Sequence, residues 1–97
     1  MIRHTVLFKW TGAASEAQKS EAAARVATLP SLVPSVRAFA AGPDVGLNEG
    51  NFDFAVAADF DDEAGYLAYR DDPGHREIVA KFITPILAQR AAAQYKF

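Results

Sequence analysis

The chain has 97 residues, 51% of them hydrophobic and 23% charged, with a formal net charge of −2 and no cysteine. That length and balance fit one folded domain and exclude a disordered chain, a disulfide or thiolate framework and, with basic residues scattered along an acidic chain, a nucleic-acid-binding surface. No stretch reaches the roughly 18 apolar residues of a membrane span, and the opening Met-Ile-Arg-His-Thr lacks the form of a secretory leader, so no membrane partner and a cytoplasmic location are expected.

Residues 2–10, IRHTVLFKW, alternate as a strand: Ile2, His4, Val6, Phe8 and Trp10 share one face, Arg3, Thr5, Leu7 and Lys9 the other. Ser15 stands three residues before Gln18, the spacing of a capping box, and a helix follows to about Leu29. Its inner stripe is Ala22, Ala23, Val26 and Leu29, and Pro30 is expected to stop it. A short second strand, VRAFAA at 36–41, leads into a polar loop with Gly42, Gly46 and Gly50. The third strand, 52–60, again alternates, with Phe52, Phe54, Val56, Ala58 and Phe60 on one face.

Asp61 or Asp62 can cap a second helix running to about Arg70, which offers two inward stripes, Ala64-Leu67-Ala68 and Tyr66-Tyr69. Pro73 suits the first turn of a further short helix capped by Asp72, with Ile78, Val79, Phe82 and Ile83 as its stripe until Pro85. Residues 89–97 read as a last strand. The order predicts an α+β fold, a ferredoxin-like βαββαβ domain with a four-stranded antiparallel sheet and helices on one face.

The chain's two histidines both fall on inward positions. His4 is on the more apolar face of the first strand, and His75 lies seven residues before Phe82 on its helix. At the third position of a helix His75 meets the positive end of the macrodipole, which disfavours proton uptake, while Asp71 and Asp72 favour it. A neutral imidazole there can take a proton from an acidic carbon. Two histidines without a third inward ligand fall short of a metal site, and neither a metal nor another cofactor is expected.

The opposite face of the sheet should present Thr5, Leu7, Phe39, Ala55 and Ala57 inside a rim of Arg3, Lys9, Asp53 and Asp59. A flat apolar centre with a charged rim suits packing on a second copy of the chain, and a homodimer built sheet to sheet is expected. GNFDFAVA echoes the aromatic alternation of an RNA-binding motif, but Glu49 and Asp53 stand where basic or neutral residues are wanted.

HTVLFKW at the start, SEAQK opening the first helix, Phe60-Asp61-Asp62 closing the third strand and Tyr69 six residues before His75 in YRDDPGH together resemble the stress-responsive dimeric α/β-barrel family, Dabb, over nearly the whole chain. The resemblance implies a dimeric α/β barrel. It also selects the Tyr66-Tyr69 stripe as the inward one. Dabb members include stress-associated proteins and plant polyketide cyclases, in which a pocket between sheet and helices holds a polyketide. There the histidine after the proline, with the tyrosine before it, promotes an intramolecular aldol condensation.

By that likeness His75, His4 and Tyr69 are the catalytic candidates. Val6, Phe8, Val56 and Ala58 from the strands are expected to line the pocket, joined by Val26, Ile78 and Phe82 from the helices. This chain departs from the cyclases at Ala22, Ala23 and Val26, where they carry bulkier aromatics, and at Arg76-Glu77. It has Gln94-Tyr95 where the family often has Asp-Tyr. Alternation leaves open which of Gln94 and Tyr95 faces inward; an antiparallel first and last strand would set Gln94 opposite His4 as a further substrate contact.

The implied function is to bind, and to cyclise or isomerise, a small carbonyl or polyketide-like compound by histidine general-base catalysis. The alternatives are a non-catalytic dimer with core histidines and a cofactor-free oxygenase of the same superfold. A ligand site predicts a cavity of about 300 Å³ or more beside His75. The non-catalytic alternative predicts that Phe8, Phe54 and Phe82 fill that space.

Overall fold

The computed structural model describes all 97 residues. Strict alternation makes Ile2–Trp10 a strand (β1), and the Ser15–Gln18 capping box closes in both directions, at 3.1 and 2.8 Å, to start helix α1, Glu16–Val26. Pro30 does not end that helix. α1 closes earlier, and Pro30 sits in the first turn of a separate short helix, α2, Leu29–Leu32, where its missing N–H costs nothing.

Strand β2 is Ala38–Pro43, two residues later than the sequence suggested, because the Val36 amide is engaged in a turn with the Val33 carbonyl at 3.2 Å. β3 is Phe54–Phe60, and helix α3, Glu63–Asp71, is capped by Asp62. Helix α4, Pro73–Ile78, has proline in its first turn and Asp72 as cap. It runs into a π-helical turn, Val79–Ile83, and a 3-10 turn, Thr84–Ile86, before strand β4, Leu87–Lys96.

The four strands form one antiparallel sheet in the order β2-β3-β1-β4, the ferredoxin-like arrangement, and no helix is long and apolar enough to cross a membrane. Register sets which side chains share each face. Across the helix-covered face one row reads Pro43, Phe54, Phe8, Arg90, and another reads Phe39, Ala58, His4, Gln94. Phe39 therefore belongs under the helices, not on the open face. Its face is fixed by pairing with β3, where Phe39 stands opposite Ala58 in the row of His4, a relation that alternation within β2 alone does not give.

The open face is flatter than expected. Its rows are Gly42, Ala55, Leu7, Ala91 and Ala40, Ala57, Thr5, Ala93, closed at one end by Arg3, which holds Asp59 through two hydrogen bonds of 2.8 and 2.9 Å.

Candidate functional site

Packing between sheet and helices is uneven. At one end Phe8 stacks on Trp10 and Phe54 with ring centroids 5.5 and 6.5 Å apart, and the space is filled. Toward the β1–β4 edge the rings become polar and the packing opens into a cavity of about 160 Å³. His4 and Tyr69, both buried, and the half-buried His75 and Tyr66 border it.

Each ring is placed by a local device. His4 alternates inward from β1, and Gln94 lies directly opposite it in register. The Gln94 amide nitrogen donates to His4 Nδ1 at 2.7 Å, which leaves the ring proton on Nε2. Tyr95 consequently faces the other way, where its hydroxyl accepts from Arg3 at 3.4 Å.

Tyr66 and Tyr69 are one turn apart on α3 and point the same way. His75 is delivered by the break between α3 and α4. Asp72, extended at φ −60° and ψ 127° as a residue before proline prefers, accepts from the His75 backbone N–H at 3.0 Å. That cap lays the His75 ring on Tyr69, with centroids 4.1 Å apart and planes 27° from parallel, while Tyr66 sits 4.9 Å from His4.

The electrostatics follow from burial. His4 is pushed down to about 4, first by loss of solvent, then by the Arg90 charge and by the charge His75 gains when it too is protonated. His75 is also lowered, again chiefly by burial, which outweighs the Tyr69 and Arg70 carbonyls and Asp72. The question left open by the helix dipole and the neighbouring aspartates is thus decided by desolvation. Tyr69 is raised to about 12 by burial and by Tyr66. At neutral pH the site holds two uncharged imidazoles and a protonated phenol. His75 Nδ1 is the one buried side-chain nitrogen or oxygen without a partner in hydrogen-bond geometry; the Tyr69 and Arg70 carbonyls approach the ring but do not meet that geometry at Nδ1.

Of the expected lining residues, Val6, Phe8, Val26, Val56 and Ile78 border the cavity with His4, Tyr69 and His75. Three do not. Ala58 is fully buried between its register neighbours His4 and Phe39. Phe82 stays half-buried against the core in the π-helical turn without reaching the cavity; of the expected stripe it is Ile83, 1% exposed, that borders it there. The Phe82 ring instead lies under the Arg25 guanidinium, 4.7 Å away. Gln94 touches the site only through His4 and otherwise borders an open depression beside Tyr66.

The sequence reading missed Arg90, which borders the cavity from β4, and Arg70 at its outer side. Arg90 lies four residues before Gln94 and shares its face, a signal readable once the β1–β4 register is known. The volume lies below the expected 300 Å³, and of the three phenylalanines expected to fill the space only Phe8 reaches it.

Several solved structures share this fold. A dimeric ferredoxin-like protein of unknown function from Thermobifida fusca is 42% identical, the match covering 99% of this chain and 90% of that one with a TM-score of 0.91. A Dabb family protein from Mesorhizobium loti is 23% identical over 99% of this chain and 95% of that one, TM-score 0.83. The hydroxynitrile lyase of Passiflora edulis is 21% identical over 97% and 90%, TM-score 0.83. A comparison with curated proteins finds no match. The family model of the stress responsive A/B barrel domain, Dabb, matches residues 2–97, and the chain belongs to that family.

Proposed function

We propose that the cavity takes a small carbonyl compound and that His75 moves a proton on it as general base, with Tyr69 as hydrogen-bond donor to the carbonyl oxygen. The observation that carries this reading is the buried, unpartnered Nδ1 of His75 beside a cavity whose ring cluster is otherwise ordered. An orphaned buried nitrogen costs about 1–3 kcal/mol, an expense that a packing role alone gives no reason to keep.

In the proposed step the neutral imidazole removes a proton from the carbon next to the carbonyl, and the electron pair of that C–H bond moves toward oxygen. The developing enolate is met by the phenol, which burial keeps protonated. Return of the proton to another carbon isomerises the compound; attack of the enolate on a second carbonyl in the same molecule cyclises it. His4, neutral with its proton on Nε2, is a second donor.

The domain acts as a homodimer joined through the open sheet face, on which alanines from three strands surround Thr5 and Leu7. The Thermobifida relative is described as dimeric, and among the relatives of this fold the Passiflora protein is a lyase acting on a small molecule.

The cavity's modest volume also favours a second reading, a non-catalytic dimer in which the same rings are structural. Exchange of α-protons separates the two. In D₂O, wild-type protein should speed loss of the α-proton NMR signals of a panel of small ketones and oxo acids, and His75→Ala should abolish that while remaining folded. No exchange by wild type across the panel would favour the structural reading.

A further inference from the structure

Arg90 is the unpaired cation that borders the cavity. Seven of the ten Lys and Arg side chains hold a carboxylate: Arg3, Lys19, Arg25, Arg37, Arg70, Lys81 and Lys96. Lys9 lies over the Phe52 ring, and Arg76 is on the outer surface of α4. Arg90, exposed like Arg76, has like it neither an ion pair nor a hydrogen bond; what sets Arg90 apart is its place at the cavity. It projects from β4 on the helix side, beside Phe8 in register, and borders the cavity.

No Asp or Glu borders that cavity. The second arginine there, Arg70, is neutralised by two hydrogen bonds of 2.9 and 3.1 Å to Asp71. Beyond the dominant effect of burial, the Arg90 charge makes His4 harder to protonate and opposes the rise at Tyr69, so it is felt at both polar rings. The pocket thus offers a forked cation and ring donors, with no anion of its own to satisfy them.

We infer that Arg90 is the anion anchor of this pocket and that its ligand is a small organic acid, an apolar body carrying one carboxylate. The inference rests on the pocket being a ligand site, as proposed above, and narrows what it holds. Volume sets the size of the body. A closed apolar cavity of about 150 Å³ takes a benzene ring, and this one measures about 160 Å³. The body is therefore one aromatic ring or an equivalent short chain, its carboxylate held at the β4 edge by the guanidinium. A carbonyl carried on such an acid would lie toward Tyr69 and His75, making an oxo acid the class that fits both the anchor and the base.

Benzoate and benzamide, matched in shape and differing in charge, test this by titration at pH 7 with NMR detection on wild type, Arg90→Gln and Arg90→Lys. Wild type should prefer benzoate by about ten- to a hundredfold, the worth of one charge-assisted hydrogen-bonded pair. The preference should shrink with added salt, vanish in Arg90→Gln and survive in part in Arg90→Lys, with benzoate losing far more affinity than benzamide in Arg90→Gln. Arg90 is on an exposed edge strand, and circular dichroism should show both variants folded.

Equal binding of the two probes by wild type, or a preference that persists in Arg90→Gln, overturns the role of Arg90 and leaves the pocket standing. If neither probe perturbs the His4, Tyr69 and His75 resonances, the pocket reading falls and the anchor falls with it.

Discussion

The two ends of the space between sheet and helices are built from similar rings to opposite effect. Phe8, Trp10 and Phe54 form a filled hydrocarbon stack, whereas His4, Tyr66, Tyr69 and His75 surround a hole and leave one nitrogen unsatisfied. The contrast shows where this domain gets its stability and where it gives some up. Filled apolar packing is close to the best a small core can do. Buried titratable rings beside a void are below that optimum, as functional sites commonly are.

The sharpest way to break the contrast is to mutate both ends. Phe54→Ala removes a ring that is 4% exposed from the filled stack and should cost about 3–5 kcal/mol in chemical denaturation, enough to unfold much of a domain this small. At the other end His75→Phe keeps a ring on Tyr69 and removes the orphaned nitrogen, so stability should hold or rise by about 1 kcal/mol while α-proton exchange is lost. A large loss of stability in His75→Phe would make the hollow end ordinary core.

Acid should then distinguish the ends without mutation. His4 titrates near 6.5 when unfolded and at about 4 when folded. Between those values the unfolded chain binds a proton that the folded chain does not. The contribution is complete above pH 6.5 and is lost as pH falls toward 4, a change of about 3 kcal/mol. His75, also lowered, acts in the same direction. Denaturant midpoints measured across this window should fall for wild type and stay flatter for His4→Asn.

Most of the frame is readable from residue spacing: alternation in β1, the capping box of α1, and the Asp72-Pro73 start of α4 all stand as expected. What escaped depends on relations between distant segments. Phe39 and Gln94 were assigned a face only by pairing across strands. Phe82 lies in a π-helical turn, which has no mark in a 3.6-residue pattern, and of the expected stripe Ile83 borders the cavity in its place. Arg90 could not be placed from spacing because an arginine on a terminal strand is usually solvated, and only the β1–β4 register sets it beside Phe8 at the cavity. The ring cluster itself was half legible: periodicity turned both histidines inward, while the choice of the tyrosine stripe came from family likeness.

A smaller effect follows at the His4–Gln94 pair. As an amide donating to Nδ1, Gln94 gives no support to a protonated ring. Gln94→Glu would place a carboxylate there that accepts from a protonated Nδ1, and should raise the His4 pKa by about 1–3 units, visible in its NMR titration. The acid loss of stability should shrink accordingly. An unmoved His4 titration would mean the ring does not keep this partner in solution.

The smallest effect is at the device that aims His75. Asp72 Oδ1 accepts from the His75 N–H at 3.0 Å, and a Cβ at Gly74 would stand 3.1 Å from that oxygen. Asp72→Asn retains an acceptor and should be nearly neutral, whereas Asp72→Ala should cost about 1 kcal/mol. Global stability understates the consequence, because α4 is a single short helix and its first turn fixes the His75 ring over Tyr69. Asp72→Ala should therefore shift the His75 and Tyr69 ring resonances while those of Trp10 and Phe54, which do not border the cavity, stay in place. If the filled end moved as much, the two ends would be one cooperative core, and the hollow would be a packing defect with no separate aim.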